Sequence, residues 1–204
     1  MGPDTARVEA FSDAVFAIAM TLLVLDLKAP AGAAGSAELA RELARQWPAY
    51  LAFVTSFATI LIMWINHHRM FALVGRTDDR LLLLNGLLLL GVTLVPFPTA
   101  LVATYLARDG ERMAAILYSG LFAAIAVGYN LLWRSAAGTR RLIRPEADHE
   151  SVKQLLDAYR YGPLWYCIAL VLAVVNVTAS LLVNLGLAIF FALPRERART
   201  TCSD

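Results

Sequence analysis

RVEAFSDAVFAIAMTLLVLDL, residues 7–27, is long and apolar enough to cross a bilayer, yet Arg7, Glu9, Ser12 and Asp13 crowd its first two turns. A spanning helix needs about 20 mainly apolar residues, and the run from Ala14 to Leu25 carries no charge at all. Unpaired in lipid, the polar lead-in would cost several kcal/mol. The stretch therefore reads as a transmembrane helix whose entry needs partners elsewhere in the chain.

Composition agrees. Of 204 residues, 59% are hydrophobic and 17% charged, with a mean hydropathy of +0.60. Soluble domains hold roughly 45–50% apolar and about 25% charged residues. The chain is an all-α integral membrane protein. A cleaved signal peptide fits poorly, because Asp4, Glu9 and Asp13 accompany the single Arg7 where such a leader is net positive. Cys167 lies in an apolar run and Cys202 in the polar tail, without metal-type spacing.

Extended along the chain, the same reading gives one domain over 1–204 with six spans at about 8–28, 47–72, 81–106, 112–134, 158–176 and 178–193. The first four read as uninterrupted. KAPAGAAGSAELARE, GRTDDR and RDGER read as linkers, and EADHESVKQLLDAYRYG as a surface-lying amphipathic helix. The apolar stretch Leu164–Leu193 divides near NVTAS. With the N-terminus inside, only Lys28, Arg41, Arg45, Arg108 and Arg112 fall outside, and the other thirteen of 18 basic residues fall inside. That bias predicts a multi-pass plasma-membrane protein with both termini cytoplasmic.

On a wheel at 100° per residue, Phe11, Ala14, Ile18, Leu22 and Leu25 form one stripe, with Thr21 beside it. Ser12 and Asp13 point away from that stripe. It is either a packing seam or, if several copies meet around an axis, a set of hydrophobic rings that constrict a pore. The second span carries a matching polar set near its inner end: Trp64, Asn66, His67 and His68. Intramembrane polar groups of this kind face the bundle interior or a water-filled cavity. Adjacent histidines diverge by about 100°, and no acidic or Cys ligand clusters nearby, so no metal is expected. A clasp is the expectation instead: Ser12 and Asp13 accepting hydrogen bonds from Trp64 or His67, which would set the rotation of the first helix.

Arg7, three residues, then Phe11-Ser12-Asp13 opening an apolar span resembles the R-x-x-x-F-S-D signature of the transmembrane protein 175 potassium channels. WINHHRMF, residues 64–71, resembles the Trp/His segment of the same family. The resemblance implies a homotetramer of six-span subunits, with the first helix lining a central pore and no TVGYG filter. It further implies pore rings at Ile18, Leu22 and Leu25, a pore-facing Thr21, and an inner polar network at Arg7, Ser12, Asp13 and His67. Phe11, Trp64 and His68 join that supporting set, with the choice between His67 and His68 left open.

The expected function is a leak-like channel, modestly selective for potassium over sodium, working in the lipid bilayer without cofactor or nucleic acid. The alternative is a proton-coupled small-solute transporter titrating at His67, His68 and Asp13. Such carriers often show repeats and interrupted helices, neither of which is evident in the sequence. No nucleophile–base pair or metal-ligand motif of useful spacing supports an enzyme.

Overall fold

In the computed structural model, which describes residues 3–32, 34–138 and 142–192, the apolar segments are helices arranged as a membrane bundle. The elements are α1 (Pro3–Leu22), α2 (Ser36–Arg45), α3 (Trp47–Leu73), α4 (Asp79–Leu94), α5 (Pro96–Tyr105), α6 (Glu111–Gly138), α7 (His149–Arg160), α8 (Gly162–Val175) and α9 (Val177–Ala192). Five stretches are long and apolar enough to cross a membrane: Thr5–Asp26, Trp47–Leu73, Asp79–Tyr105, Glu111–Gly138 and Val152–Val175. The sixth expected span is the shorter helix Val177–Phe191. Its expected end at Leu193 lies outside the described residues, as do Arg140, Arg141, Arg195, Arg197, Arg199 and Cys202.

Local chemistry explains the boundaries. The Asp78 side chain caps α4 by accepting from the Leu81 N–H at 2.7 Å, a helix-start bond of the usual kind. Asn176 has extended dihedrals that end α8, and its Oδ1 accepts from the Ala179 N–H at 2.9 Å to start α9. The turn expected near NVTAS is this single residue.

Three features differ from the sequence reading. The third span is interrupted, because Pro96 and Pro98 have no N–H to continue the helix. The chain passes through Val95, whose carbonyl accepts from both the Thr99 N–H and the Thr99 hydroxyl. The first span leaves α-helical geometry after Leu22 and finishes as a 3-10 turn, Leu23–Asp26. The first linker contains α2, which has no buried residue and begins where the Glu38 carboxylate accepts from the Ala34 N–H.

Buried hydroxyls and amides tie the bundle together, as interhelical hydrogen bonds do where lipid is as apolar as leucine. Ser56 of α3 meets Thr99 of α5 at 2.8 Å and Tyr118 of α6 at 3.1 Å. Ser119 of α6 meets Ser180 of α9, whose hydroxyl donates to the Ala169 carbonyl of α8. Between α4 and α6, a Cβ at Gly91 would lie 2.8 Å from Ile125 Cγ1, so that crossing requires glycine. At one end of the bundle, Val74 and Ile143 form an antiparallel bridge that joins the α3 terminus to the segment before α7.

Candidate functional site

α1 packs against α3 and α4. The buried residues of α1 and the 3-10 turn that ends the span are Thr5, Glu9, Ser12, Phe16, Ala19 and Leu23, alternating steps of four and three. This is the spacing of a helix seam. At 100° per residue the seam centres about 140° away from Ile18. The face against the subunit and the apolar stripe are therefore nearly opposite.

Polar groups at the start of the seam are paired. Trp64 Nε1–H donates to Asp13 Oδ1 at 2.8 Å, and His68 Nδ1–H donates to Glu9 Oε1 at 2.9 Å. Glu9 and Asp13 are one turn apart on α1, Trp64 and His68 one turn apart on α3. The two bonds are successive rungs between antiparallel helices. A further contact at the same end, Thr5 Oγ1–H to the Gly75 carbonyl at 3.3 Å, continues the ladder.

The Ser12 and His67 side chains do not bond to each other directly. His67 Nε2–H donates to Asn85 Oδ1 at 2.9 Å, and Asn85 Nδ2–H donates to Ser12 Oγ at 3.0 Å. The Ser12 hydroxyl donates to the Val8 carbonyl at 2.8 Å. An amide oxygen only accepts, so this chain of bonds places the imidazole proton on Nε2. His67 Nδ1 is then buried without a hydrogen-bond partner among the described residues, and the imidazole ring centroid lies 4.4 Å from that of Phe71 and 5.4 Å from that of Phe16. Asn85 sits on α4, so three helices meet at one amide. It is the only polar side chain in LLLLNGLLLL, residues 81–90, and a lone amide in a leucine run was the available signal.

Both histidines thus join the network, by different routes. Glu9 enters it as the His68 partner, a role the sequence reading did not assign. Arg7 is exposed, and no hydrogen bond or ion pair to another described residue reaches it. Phe11 is also exposed, on the stripe rather than in the polar set.

That stripe is left open by its own subunit. Ile18 is 57% exposed, Leu22 39% and Leu25 70%. Thr21 is exposed too, and its hydroxyl donates to the Ile18 carbonyl at 2.8 Å. The 3-10 turn corrects the wheel: at three residues per turn, Leu25 stands directly above Leu22 instead of offset from it. Rises of about 1.5 Å per α-helical residue and 2.0 Å per 3-10 residue then space Ile18, Leu22 and Leu25 about 6 Å apart along the axis.

No group of three or more His, Cys, Asp or Glu among the described residues could hold a metal ion. His67, His68 and Asp13 have separate partners, Asn85, Glu9 and Trp64. The arrangement is suited to fixing a helix and presenting one apolar face.

Residues 7–96 match the family model described as endosomal/lysosomal potassium channel TMEM175. The chain is 51% identical over 191 residues to a potassium channel of Chamaesiphon minutus, covering 93% of this chain and 94% of that one. It is 41% identical over 189 residues to a potassium channel of Streptomyces collinus, covering 92% and 91%. The crystal structure of a lysosomal potassium-selective channel TMEM175 homologue from Chamaesiphon minutus superposes with a TM-score of 0.84 at 49% identity, covering 93% of this chain and 96% of that chain.

Proposed function

The chain belongs to the endosomal/lysosomal potassium channel TMEM175 family, and from that premise we propose that it is a potassium channel whose conduit is formed by α1 from four copies. It is a multi-pass membrane protein and not an enzyme. In this reading the Ile18 ring is the tightest point, and the Leu22 and Leu25 rings extend the constriction. Apolar side chains offer no ligands to replace water. Selectivity is therefore modest, and follows the greater cost of partly dehydrating sodium. The subunit sits in the plasma membrane with both termini cytoplasmic.

One observation carries this reading: α1 is locked to its own subunit along one face and leaves Ile18, Leu22 and Leu25 uncovered on the other. The polar ladder sets the rotation, so the rings face a common axis when subunits associate. Interruption of the third span at Val95 is shared with many carriers. Even so, the transporter alternative gains no specific support, because its three titratable groups are engaged where α1 meets α3 and α4, away from the stripe.

The test is flux. Purified protein in liposomes should pass potassium faster than sodium, with no saturation at high ion concentration. Ile18→Asn should raise conductance and reduce the preference for potassium. Saturable flux, or an unchanged ion preference in Ile18→Asn, would remove the constriction from this account.

A further inference from the structure

Away from α1, a cleft of about 700 Å³ opens at the bundle end where α3 and α6 finish and α7 begins. Its lining includes the basic side chains Arg76, Arg144 and Lys153 and the apolar side chains Ile143, Val152 and Leu156. No acidic side chain among the described residues lines it. Among the described residues none of the three cations forms an ion pair.

Arg144 is the unusual member. Its backbone N–H donates to the Leu73 carbonyl at 2.9 Å and its Nε–H to the Val74 carbonyl at 3.1 Å. The stem passes so close to Gly75 that a Cβ there would lie 2.9 Å from Arg144 Cγ. The Gly75 and Arg76 N–H groups both donate to the Leu142 carbonyl, so the backbone holding the guanidinium is itself pinned. Yet Nη2 is buried with no hydrogen-bond partner among the described residues. A guanidinium has five N–H donors and a planar fork shaped for carboxylate or phosphate. Leaving two of those donors dry and unpaired is costly. An acceptor that brings its own negative charge would remove that cost.

We propose that this corner is a binding site for an anionic phosphate group, gripped by Arg144 and flanked by Arg76 and Lys153. The favoured source is a phospholipid headgroup. The cleft lies at an end of the membrane bundle and beside the amphipathic α7, and its apolar side chains suit the glycerol and upper acyl region. Basic pockets in such places take lipid headgroups. Gly75, which shapes the cleft, also accepts from Thr5 at the start of α1, so an occupied site braces the base of that helix.

The experiment uses full-length, delipidated protein in detergent. Native mass spectrometry measures retention of phosphatidylglycerol against phosphatidylcholine, and thermal unfolding measures the response to inorganic phosphate. Wild type should retain phosphatidylglycerol preferentially. Arg144→Gln should weaken that retention roughly tenfold, the scale of a lost charge-assisted hydrogen bond. Because this variant also removes the bond to Val74, the double substitution Arg76→Gln/Lys153→Gln, on two exposed side chains, provides an independent reading and should weaken retention several-fold. Stabilisation by inorganic phosphate that the same variants abolish, without a phosphatidylglycerol preference, supports the site and assigns it to free phosphate. Equal lipid retention and equal phosphate response in wild type and both variants would overturn the proposal.

Discussion

Along one side of α1 and its 3-10 end run Thr5, Glu9, Ser12, Phe16, Ala19 and Leu23, all buried; along the nearly opposite side run Phe11, Ile18, Leu22 and Leu25, all exposed. The side facing the protein holds the polar residues, and the side facing outward is the greasier one. In water this arrangement would be inverted. In a membrane the bundle interior and the lipid are equally apolar, so burial follows the need for hydrogen-bond partners more than hydrophobicity. Asn85 and Trp64 can satisfy Ser12 and Asp13. Lipid cannot.

This contrast can be broken from either side. The largest effect should come from Phe16→Ala, which empties a fully buried position against His67. Thermal unfolding in detergent should register a loss of about 3 kcal/mol, and a loss near zero would mean that the seam is not a packing face. Asn85→Leu should follow, at about 2 kcal/mol, since it orphans the His67 Nε2–H and takes a donor from Ser12. If the leucine variant keeps wild-type stability, the three-helix junction is not what orients α1.

A double-mutant cycle on Asp13→Ala and Trp64→Phe sharpens the comparison further. The coupling should be about 1 kcal/mol, within the range for hydrogen bonds between membrane helices. Additive single effects would show that this rung is incidental. The smallest change in stability should be that of Ile18→Asn, within about 0.5 kcal/mol, since the position is exposed in the subunit. Under the proposed function its effect belongs to ion passage. A large destabilisation there, without altered flux, would make the stripe a packing surface between copies.

The sequence carried some of this plainly and hid the rest. Span existence follows from length and apolarity, which are local properties. Asp13 and Trp64 were pairable because a polar lead-in on one helix and a polar inner end on the next leave few other partners. The link between Ser12 and His67 was harder to find. It runs through Asn85, on a third helix, and depends on how that helix rotates, which periodicity does not fix inside a run of leucines. The break at Val95 was available from VPFPT, residues 95–99, since two prolines within three residues deny the helix two donors. α2 was lost in a linker rich in alanine and glycine, although SAELARELAR has a helical alternation of leucines and charges. It buries nothing, so nothing apolar announced it.

The Thr21 hydroxyl gives its only hydrogen back to the Ile18 carbonyl of its own helix. What it turns outward is therefore lone-pair density alone. In a conduit lined by α1 as proposed, a passing ion would meet an oxygen able to accept and unable to donate, so an anion would find repulsion where a cation would find a weak ligand. Discrimination by sign of charge would then precede any discrimination by size.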